Sequence, residues 1–388
     1  MDIANFYYYN KITCMTLTQT PLLILIDIIL YLIIFFSFKN STNSPFITSK
    51  NKRNTGIVCI VLFCLFSFWG SDWFHYLEAF PEIKAGIHSN LEDIYYYIAQ
   101  LSPSYIVFRF FIWGTALFLF SKTISNINVS NDLCWFIFGS SYLIWFSYAR
   151  ASLAMSIAFC GFSVINKENN KNKVWYFIFG GALIALSFYL HKSSLFVIIC
   201  IILTLVAKNN PKFSIIISLL LFPIFIYYLN SNLSDFMLLS FEDDTNDISS
   251  YLQKGQMYMS AEGRLRGIGE IIRNILERSP YYLTSVISFW ALLKGENQYP
   301  SSIKAFFVLQ IIIVLMSTAF LFTSKVISME VIYIRFLRFA FIPTSIVLAF
   351  LYENGYKHKY IKTVVGIAIL GSVYSLLYSF YSSFSGII

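Results

Sequence analysis

The sequence predicts an all-α fold, namely a polytopic integral membrane protein whose single domain covers residues 1–388. The chain is 57% hydrophobic and only 12% charged. Apolar runs of roughly 17–22 residues recur along most of its length, and a bilayer core needs about 20 apolar residues per helix. Basic residues concentrate in alternate loops, as expected for a chain that crosses a membrane repeatedly.

About twelve spans, within a range of eleven to thirteen, follow from the pattern of apolar runs. Each run must be helical, because lipid offers backbone groups no hydrogen-bond partners. The run from Leu133 to Ile165 is too long for one helix, and we divide it near Ser147–Arg150. The predicted spans are 20–38, 56–70, 104–121, 133–148, 151–166, 174–190, 193–207, 212–229, 280–294, 303–323, 335–352 and 361–381.

The loops on one face of the predicted bundle are rich in lysine. The positive-inside rule makes this face cytoplasmic and places both termini outside. The formal charge of +8 therefore reflects membrane topology and does not indicate a nucleic-acid partner. The basic residues of this face are Lys39, Lys50, Lys52, Arg53, Lys122, Lys167, Lys171, Lys173, Lys208, Lys212, Lys294, Lys304, Lys357, Lys359 and Lys362.

Two long loops are predicted on the outer face, at about 71–103 and 230–279. The first is acidic and aromatic. Its side chains Trp73 and Tyr76, with Tyr96 later in the loop, are candidates to stack on sugar rings. An aromatic belt at the membrane interface is the alternative explanation.

The second loop ends in a segment that we predict to be an amphipathic helix on the membrane surface, at 261–278. One role is a helix held by lipid headgroups with simple i,i+4 ion pairs. The other role is a gate over a cavity, with Arg264 and Arg266 pointing inward. Its apolar stripe is Leu265, Ile268, Ile272, Ile275 and Leu276, and its polar face is Arg266, Glu270, Arg273 and Glu277.

The cysteines do not indicate a metal centre, and one acidic run leaves two explanations open. The six cysteines form no CxxC pair, zinc spacing or disulfide framework. The acidic run at 241–247 reads FEDDTND. It fits a divalent-cation site or, equally well, a solvated loop.

Short outer turns carry the remaining candidates. Arg150 lies in SYARASLAMSIAF, and His191 and Lys192 lie in YLHKSSLF. Arg335 and Arg338 are three residues apart, so both project from one helical face. A single arginine at the end of a span commonly reaches a lipid headgroup. Several that converge would suit a polyanion, because the guanidinium fork binds two phosphate oxygens.

Four motifs together carry a family resemblance: SYARASLAMSIAF, LSFYLHKSSLF, the earlier FWGSDWFHYLEAF and the later RFLRFAFIP. They resemble the EpsG-like branch of the Wzy-type polysaccharide polymerases. One position departs from the family pattern, which often has Gln where this chain has Ala151 after Arg150. The departure concerns an auxiliary polar contact and not the arginine.

The resemblance implies a multi-pass enzyme of the bacterial inner membrane, likened to the GT-C glycosyltransferases, with its active site facing the periplasm. Such enzymes transfer a growing glycan from undecaprenyl diphosphate to a repeat unit on a second such lipid, and undecaprenyl diphosphate leaves. No metal or other cofactor is implied. The partners would be lipid-linked glycans, membrane lipids and, as a candidate, a chain-length regulator protein. The product would be an O antigen of lipopolysaccharide, a capsule or an exopolysaccharide.

The chemistry of this reaction fits the candidate residues. Negative charge develops on the leaving diphosphate oxygen, and preorganised cations stabilise it. His191 is the first candidate to accept the acceptor's proton, since imidazole titrates near neutral pH, although a phosphate-binding role stays open. Asp72 and His75 are reserves. The candidate site consists of His191, Arg150 and Asp72 as catalytic residues, Arg150, Arg335, Arg338, Arg264, Arg266 and Lys192 for the diphosphate, and Trp73, Tyr76 and Tyr96 for sugars.

Two other functions compete with a polymerase. A flippase for lipid-linked oligosaccharides would place cations deep within several spans, whereas the only deep charge that we predict is Asp27. That acid is either coupled to protons, or neutral or paired. A membrane acyltransferase would show an early Arg/His pair in the first spans, which the sequence lacks.

Overall fold

The computed structural model describes residues 25–39, 46–66, 79–86, 93–146, 149–167, 172–207, 268–295, 299–322, 328–356 and 358–385. These residues form α-helices and contain no strand. In chain order the helices are α1 (25–39), α2 (Phe46–Phe66), α3 (79–84), α4 (Asp93–Leu101), α5 (Tyr105–Ile127), α6 (Asn131–Ser141), α7 (Leu143–Phe146), α8 (Ala149–Ile165), α9 (Lys173–Leu190), α10 (Ser194–Ala207), α11 (Ile268–Gly295), α12 (Ser301–Phe322), α13 (Ser328–Arg338), α14 (Phe341–Glu353) and α15 (His358–Ser385).

The prediction of a helical membrane protein is confirmed. Within the described ranges, five helical segments are long and apolar enough to cross a membrane by length and composition: Tyr105–Ile127, Lys173–Leu190, Ser301–Phe320, Tyr333–Glu353 and His358–Tyr378. Two shorter apolar helices accompany them. Helices α12 and α14 are mostly buried and form the centre, whereas α9 is mostly exposed. The total of about twelve spans stays a prediction, and the predicted span 212–229 lies outside the described residues.

The predicted span 133–148 is wrong as a single helix, because Tyr142 separates α6 from α7 with φ −129° and ψ −1°. Side chains of other helices satisfy the carbonyl groups at this break. Tyr31 donates to the carbonyl of Ser140, and Ser372 donates to the next carbonyl at 2.6 Å. Non-helical backbone is tolerated at membrane depth where protein groups replace the lost hydrogen bonds. Helices α1 and α15 therefore hold the break in place.

Helices α8 and α9 pack with their backbones in contact. A Cβ atom built on Gly161 would lie 2.5 Å from the carbonyl oxygen of Gly180, and the reverse distance is 2.6 Å. Small residues allow such an approach between membrane helices, where packing replaces the hydrophobic effect as the driving force. The predicted division near Ser147–Arg150 is confirmed, since α8 begins at Ala149.

Helix α11 joins two predicted elements. The predicted surface helix at 261–278 is not separate, because its described part runs directly into the predicted span 280–294. Pro280 lies inside the helix, where a proline removes one backbone hydrogen bond. Just beyond the proline, Gln310 of α12 donates to the carbonyl of Tyr281 at 3.0 Å, which ties this part of α11 to α12. Three residues of the apolar stripe, Ile268, Ile272 and Ile275, are exposed, as suits a surface that faces lipid.

A short break just before Pro343 separates α13 from α14. Helix α13 ends at Arg338, and α14 begins at Phe341. Pro343 therefore occupies the first turn of α14, where its missing N–H costs nothing. The amide of Thr344 closes that turn on the carbonyl of Ala340 at 2.8 Å.

Asp27 is not the only deep charge, so that prediction was wrong. Arg109 of α5 is only 4% exposed and interacts electrostatically with Asp27. Its Nη2 donates to the carbonyl of Cys64 at 2.7 Å, and its guanidinium lies 4.6 Å from the ring of Trp113. Asp27 itself is only 1% exposed, and whether it is coupled to protons, neutral or paired stays a prediction. Helices α1, α2 and α5 meet around these two residues.

Contacts between loops agree with the predicted sorting of the two faces. Arg53 forms a 2.9 Å ion pair with Asp132. The amide of Ser130 donates to Glu353 at 3.0 Å. These four residues come from segments predicted to be cytoplasmic, and the structure gathers them at one end of the bundle.

Candidate functional site

Arg150 lies in the first turn of α8 and is 9% exposed, so its side chain is inside the protein. Neighbouring helices fix this turn through its backbone. The Tyr95 hydroxyl donates to the carbonyl of Arg150 at 3.4 Å. Trp113 Nε1 and Ser152 Oγ both donate to the carbonyl of Phe146, at 3.1 and 2.7 Å. Helices α4 and α5 thereby position the buried guanidinium.

His191 and Lys192 form the turn between α9 and α10, and both are partly buried. His191 is the C-cap of α9, and its amide donates to the carbonyl of Ser187 at 3.1 Å. Its own carbonyl accepts from the amide of Ser194 at 2.9 Å. The turn is therefore fixed by backbone hydrogen bonds on both sides.

A third group of polar residues joins α11, α13 and α15 at the end opposite the lysine-rich loops. We call it the Glu277 cluster, and it consists of Arg273, Glu277, Arg278, Tyr281, Arg338 and Ser375. Ser375 donates to Glu277 Oε1, and Arg273 Nε lies 3.7 Å from the same oxygen. Arg338 has the strongest electrostatic attraction to Glu277, ahead of Arg273 and Arg278. The Glu277 side chain is only 9% exposed.

Two tyrosines extend the Glu277 cluster into the bundle. The rings of Tyr142 and Tyr281 lie 5.5 Å apart. Both hydroxyl groups are buried and lack a hydrogen-bond partner within the described part of the chain. Tyr281 also interacts electrostatically with Arg338 and Glu277.

A groove of about 390 Å³ opens beside the cluster. The Arg278 guanidinium lies 5.2 Å from the ring of Tyr333, whose hydroxyl is 2.8 Å from that of Tyr282. The two isoleucines on its rim are exposed on the apolar face of α11. The lining is Ile271, Asn274, Ile275, Arg278, Ser279, Tyr282 and Tyr333. The groove thus combines apolar walls with one guanidinium group.

Contacts between aromatic rings connect several helices next to these candidate residues. Phe196 stacks on Phe336 with 4.2 Å between centroids, which joins α10 to α13. Phe146 packs against Phe341 at 5.9 Å, which joins α7 to α14. The helix that follows the His191 turn therefore contacts the helix that carries Arg338, and the helix that precedes the Arg150 turn contacts α14.

The family model of the EpsG family matches residues 56–387. The chain belongs to the EpsG family. No curated protein and no solved structure matches it. The resemblance stated from the sequence is confirmed, and the EpsG family is associated with glycosyltransferase-like polymerase activity.

The predicted site residues of this EpsG-family protein have different surroundings. Arg338 belongs to the Glu277 cluster, whereas Arg335 is exposed on the same helix. Tyr96 is partly buried, and its hydroxyl accepts from Gln100 Nε2 at 2.8 Å. The candidates outside the described residues are Asp72, Trp73, His75, Tyr76, Arg264 and Arg266, together with the acidic run at 241–247.

Several members of the Glu277 cluster are not evident from the sequence of this EpsG-family chain. Arg273 and Glu277 suggested an ordinary i,i+4 pair on a surface helix. Arg278 falls on the side of α11 that meets Tyr333, and Ser375 comes from a helix about a hundred residues later. Only these contacts between distant segments show that the Glu277 carboxylate and the guanidinium groups of the cluster lie close together.

Proposed function

We propose that this protein polymerises oligosaccharide repeat units carried on undecaprenyl diphosphate at the outer face of the inner membrane. The growing glycan moves from its lipid diphosphate to the acceptor repeat unit. The observation that carries this proposal is the Glu277 cluster, where Arg273, Arg278 and Arg338 act electrostatically on one buried carboxylate. Guanidinium groups suit a diphosphate, and family membership supports glycan polymerisation.

The reaction breaks the bond between the sugar C1 and a diphosphate oxygen, so negative charge grows on the leaving group. Fixed guanidinium groups in a dry site stabilise that charge, and removing one such donor typically costs about 10²–10³ in rate. Arg338 and Arg278 are suited to this role, and Arg150 is the further candidate predicted from sequence. The acceptor hydroxyl attacks C1 and releases its proton to a base.

The groove beside Arg278 supports a substrate that is borne on a lipid. Its rim includes the exposed Ile271 and Ile275, so a polyprenyl chain can enter from the membrane while its diphosphate meets the arginines. Metal independence and a chain-length regulator partner belong to the same proposal, on the strength of the family alone.

Reconstitution tests the function directly. Liposomes that contain the purified protein and an undecaprenyl-diphosphate-linked repeat unit should yield a ladder of polymers, with one undecaprenyl diphosphate released per bond formed. The ladder should persist in excess chelator. Transfer of the substrate across the bilayer without longer glycans would identify a flippase instead. In cells that lack the protein, single-repeat products are expected for a polymerase, and no surface product for a flippase.

A further inference from the structure

We propose that Glu277 is the catalytic base of the polymerase, and that the Tyr281 and Tyr142 hydroxyl groups bind the acceptor sugar beside it. This inference rests on the proposed function and specifies where the acceptor binds. It assigns the proton to a carboxylate in α11, whereas the sequence pointed first to His191.

The position of Glu277 leaves one oxygen for a substrate. The hydrogen bond from Ser375 and the approach of Arg273 both engage Oε1. These two contacts fix the carboxylate from one side, and Oε2 can accept a proton from the other. A base must lie within hydrogen-bond reach of the proton it takes, in a fixed orientation, and Glu277 is held in this way.

Three arginines act electrostatically on Glu277. Arg273 and Arg278 come from the same helix as the carboxylate, while Arg338 is brought to it by α13. Guanidinium groups on two helices therefore act on the same carboxylate. A diphosphate bound to these arginines would bring the sugar C1 and the base into one place.

The buried hydroxyl groups indicate where the second substrate binds. Tyr281 is 2% exposed and Tyr142 is 1% exposed, and both hydroxyls lack partners within the described ranges. A buried polar group without a partner costs about 1–3 kcal/mol, so such groups call for an explanation. A sugar carries several hydroxyl groups that can supply the missing hydrogen bonds. Tyr281 also interacts electrostatically with Glu277, which puts a sugar bound there next to the base.

In the proposed step, the acceptor hydroxyl oxygen attacks C1 of the donor sugar as its proton passes to Glu277. The bond from C1 to the diphosphate oxygen breaks, and its electron pair leaves on undecaprenyl diphosphate. The proton on Glu277 returns to solvent or to the leaving diphosphate before the next cycle.

Glu277→Gln tests the assignment in proteoliposomes, with Glu82→Gln as the matched control. Glu82 is an exposed carboxylate of α3 on the same predicted face. We expect Glu277→Gln to lower turnover by about 10²–10⁴-fold, because the amide cannot accept the proton. Binding of the lipid-linked repeat unit should stay within about threefold of wild type, since the arginines remain. Glu82→Gln should polymerise normally.

Chemical rescue separates a base from a structural carboxylate. Added formate should restore part of the turnover of Glu277→Ala, because a small carboxylate can occupy the vacated space. Tyr281→Phe should raise the KM for the acceptor with unchanged folding yield. Wild-type activity together with normal turnover of Glu277→Gln would overturn the assignment of the base. So would a loss of substrate binding as large as the loss of turnover, or an absence of formate rescue. An inactive wild-type protein would instead contradict the proposed function itself.

Discussion

At the scale of single residues, burial distinguishes side chains that the sequence presents as equivalent. Arg150 and Arg335 both lie near the ends of predicted spans, yet Arg150 is buried and Arg335 is exposed. An arginine that only reaches a headgroup has no reason to be buried. Burial therefore supports a specific partner for Arg150 and weakens the case for Arg335.

Arg150→Lys should leave the protein folded and remove most of its polymer. Lysine keeps the charge but loses the planar fork that binds two phosphate oxygens. The measurement is the chain-length distribution on gels, next to the monodisperse yield in detergent. Arg53→Lys is the matched control, because Arg53 makes its ion pair at the other end of the bundle. Normal chain lengths from Arg150→Lys would show that only its charge matters.

His191→Arg should retain polymer formation if Glu277 takes the proton. A guanidinium preserves the positive charge of a phosphate ligand, but it cannot act as a base at neutral pH. His191→Ala should bind substrate less tightly in the same series. The assay is polymer formation in reconstituted membranes alongside substrate binding. Loss of turnover with intact binding in both variants would return the role of base to His191.

At the scale of elements, close helix packing is set by glycines whose neighbours differ. Gly180 of α9 touches the backbone of α8, whereas a Cβ on the adjacent Gly181 would meet nothing within 4 Å. Gly180→Ala should therefore destabilise the protein by about 1–3 kcal/mol, as overpacking usually does. Gly181→Ala should be close to neutral. Thermal unfolding of the two variants in one detergent is the measurement, and equal unfolding temperatures would contradict the packing.

The sequence predicted where helices lie better than it predicted where one helix breaks or continues into the next. Helices α9 and α10 match the predicted spans closely, because their apolar runs end at polar turns. The continuity of α11 through Pro280 was missed because a proline within an apolar run commonly ends or kinks a helix. The break at Tyr142 was missed because Tyr31 and Ser372, which bond the carbonyl groups there, are distant in sequence.

At the scale of the whole molecule, the described loops separate into two ends, and charge predicts which end is cytoplasmic. A reporter fused after Lys171 should be cytoplasmic, and one fused in the 240–250 loop should be periplasmic. Paired phosphatase and fluorescent-protein fusions at both sites measure this. Opposite results at the two sites would move the Glu277 cluster to the cytoplasmic side and contradict an outer active site.

The continuity of α11 limits how a lipid-linked substrate could reach and leave the proposed site. A separate surface helix could swing aside like a lid, but α11 is a single rod that runs from the groove to Lys294 at the far end. Its outer half cannot move alone without bending a helix that Gln310 braces. Under the proposed function, spent lipid would then exchange for fresh donor sideways, through the groove and within the plane of the membrane. The lengthening glycan would grow away into water while its proposed carrier stayed in the bilayer.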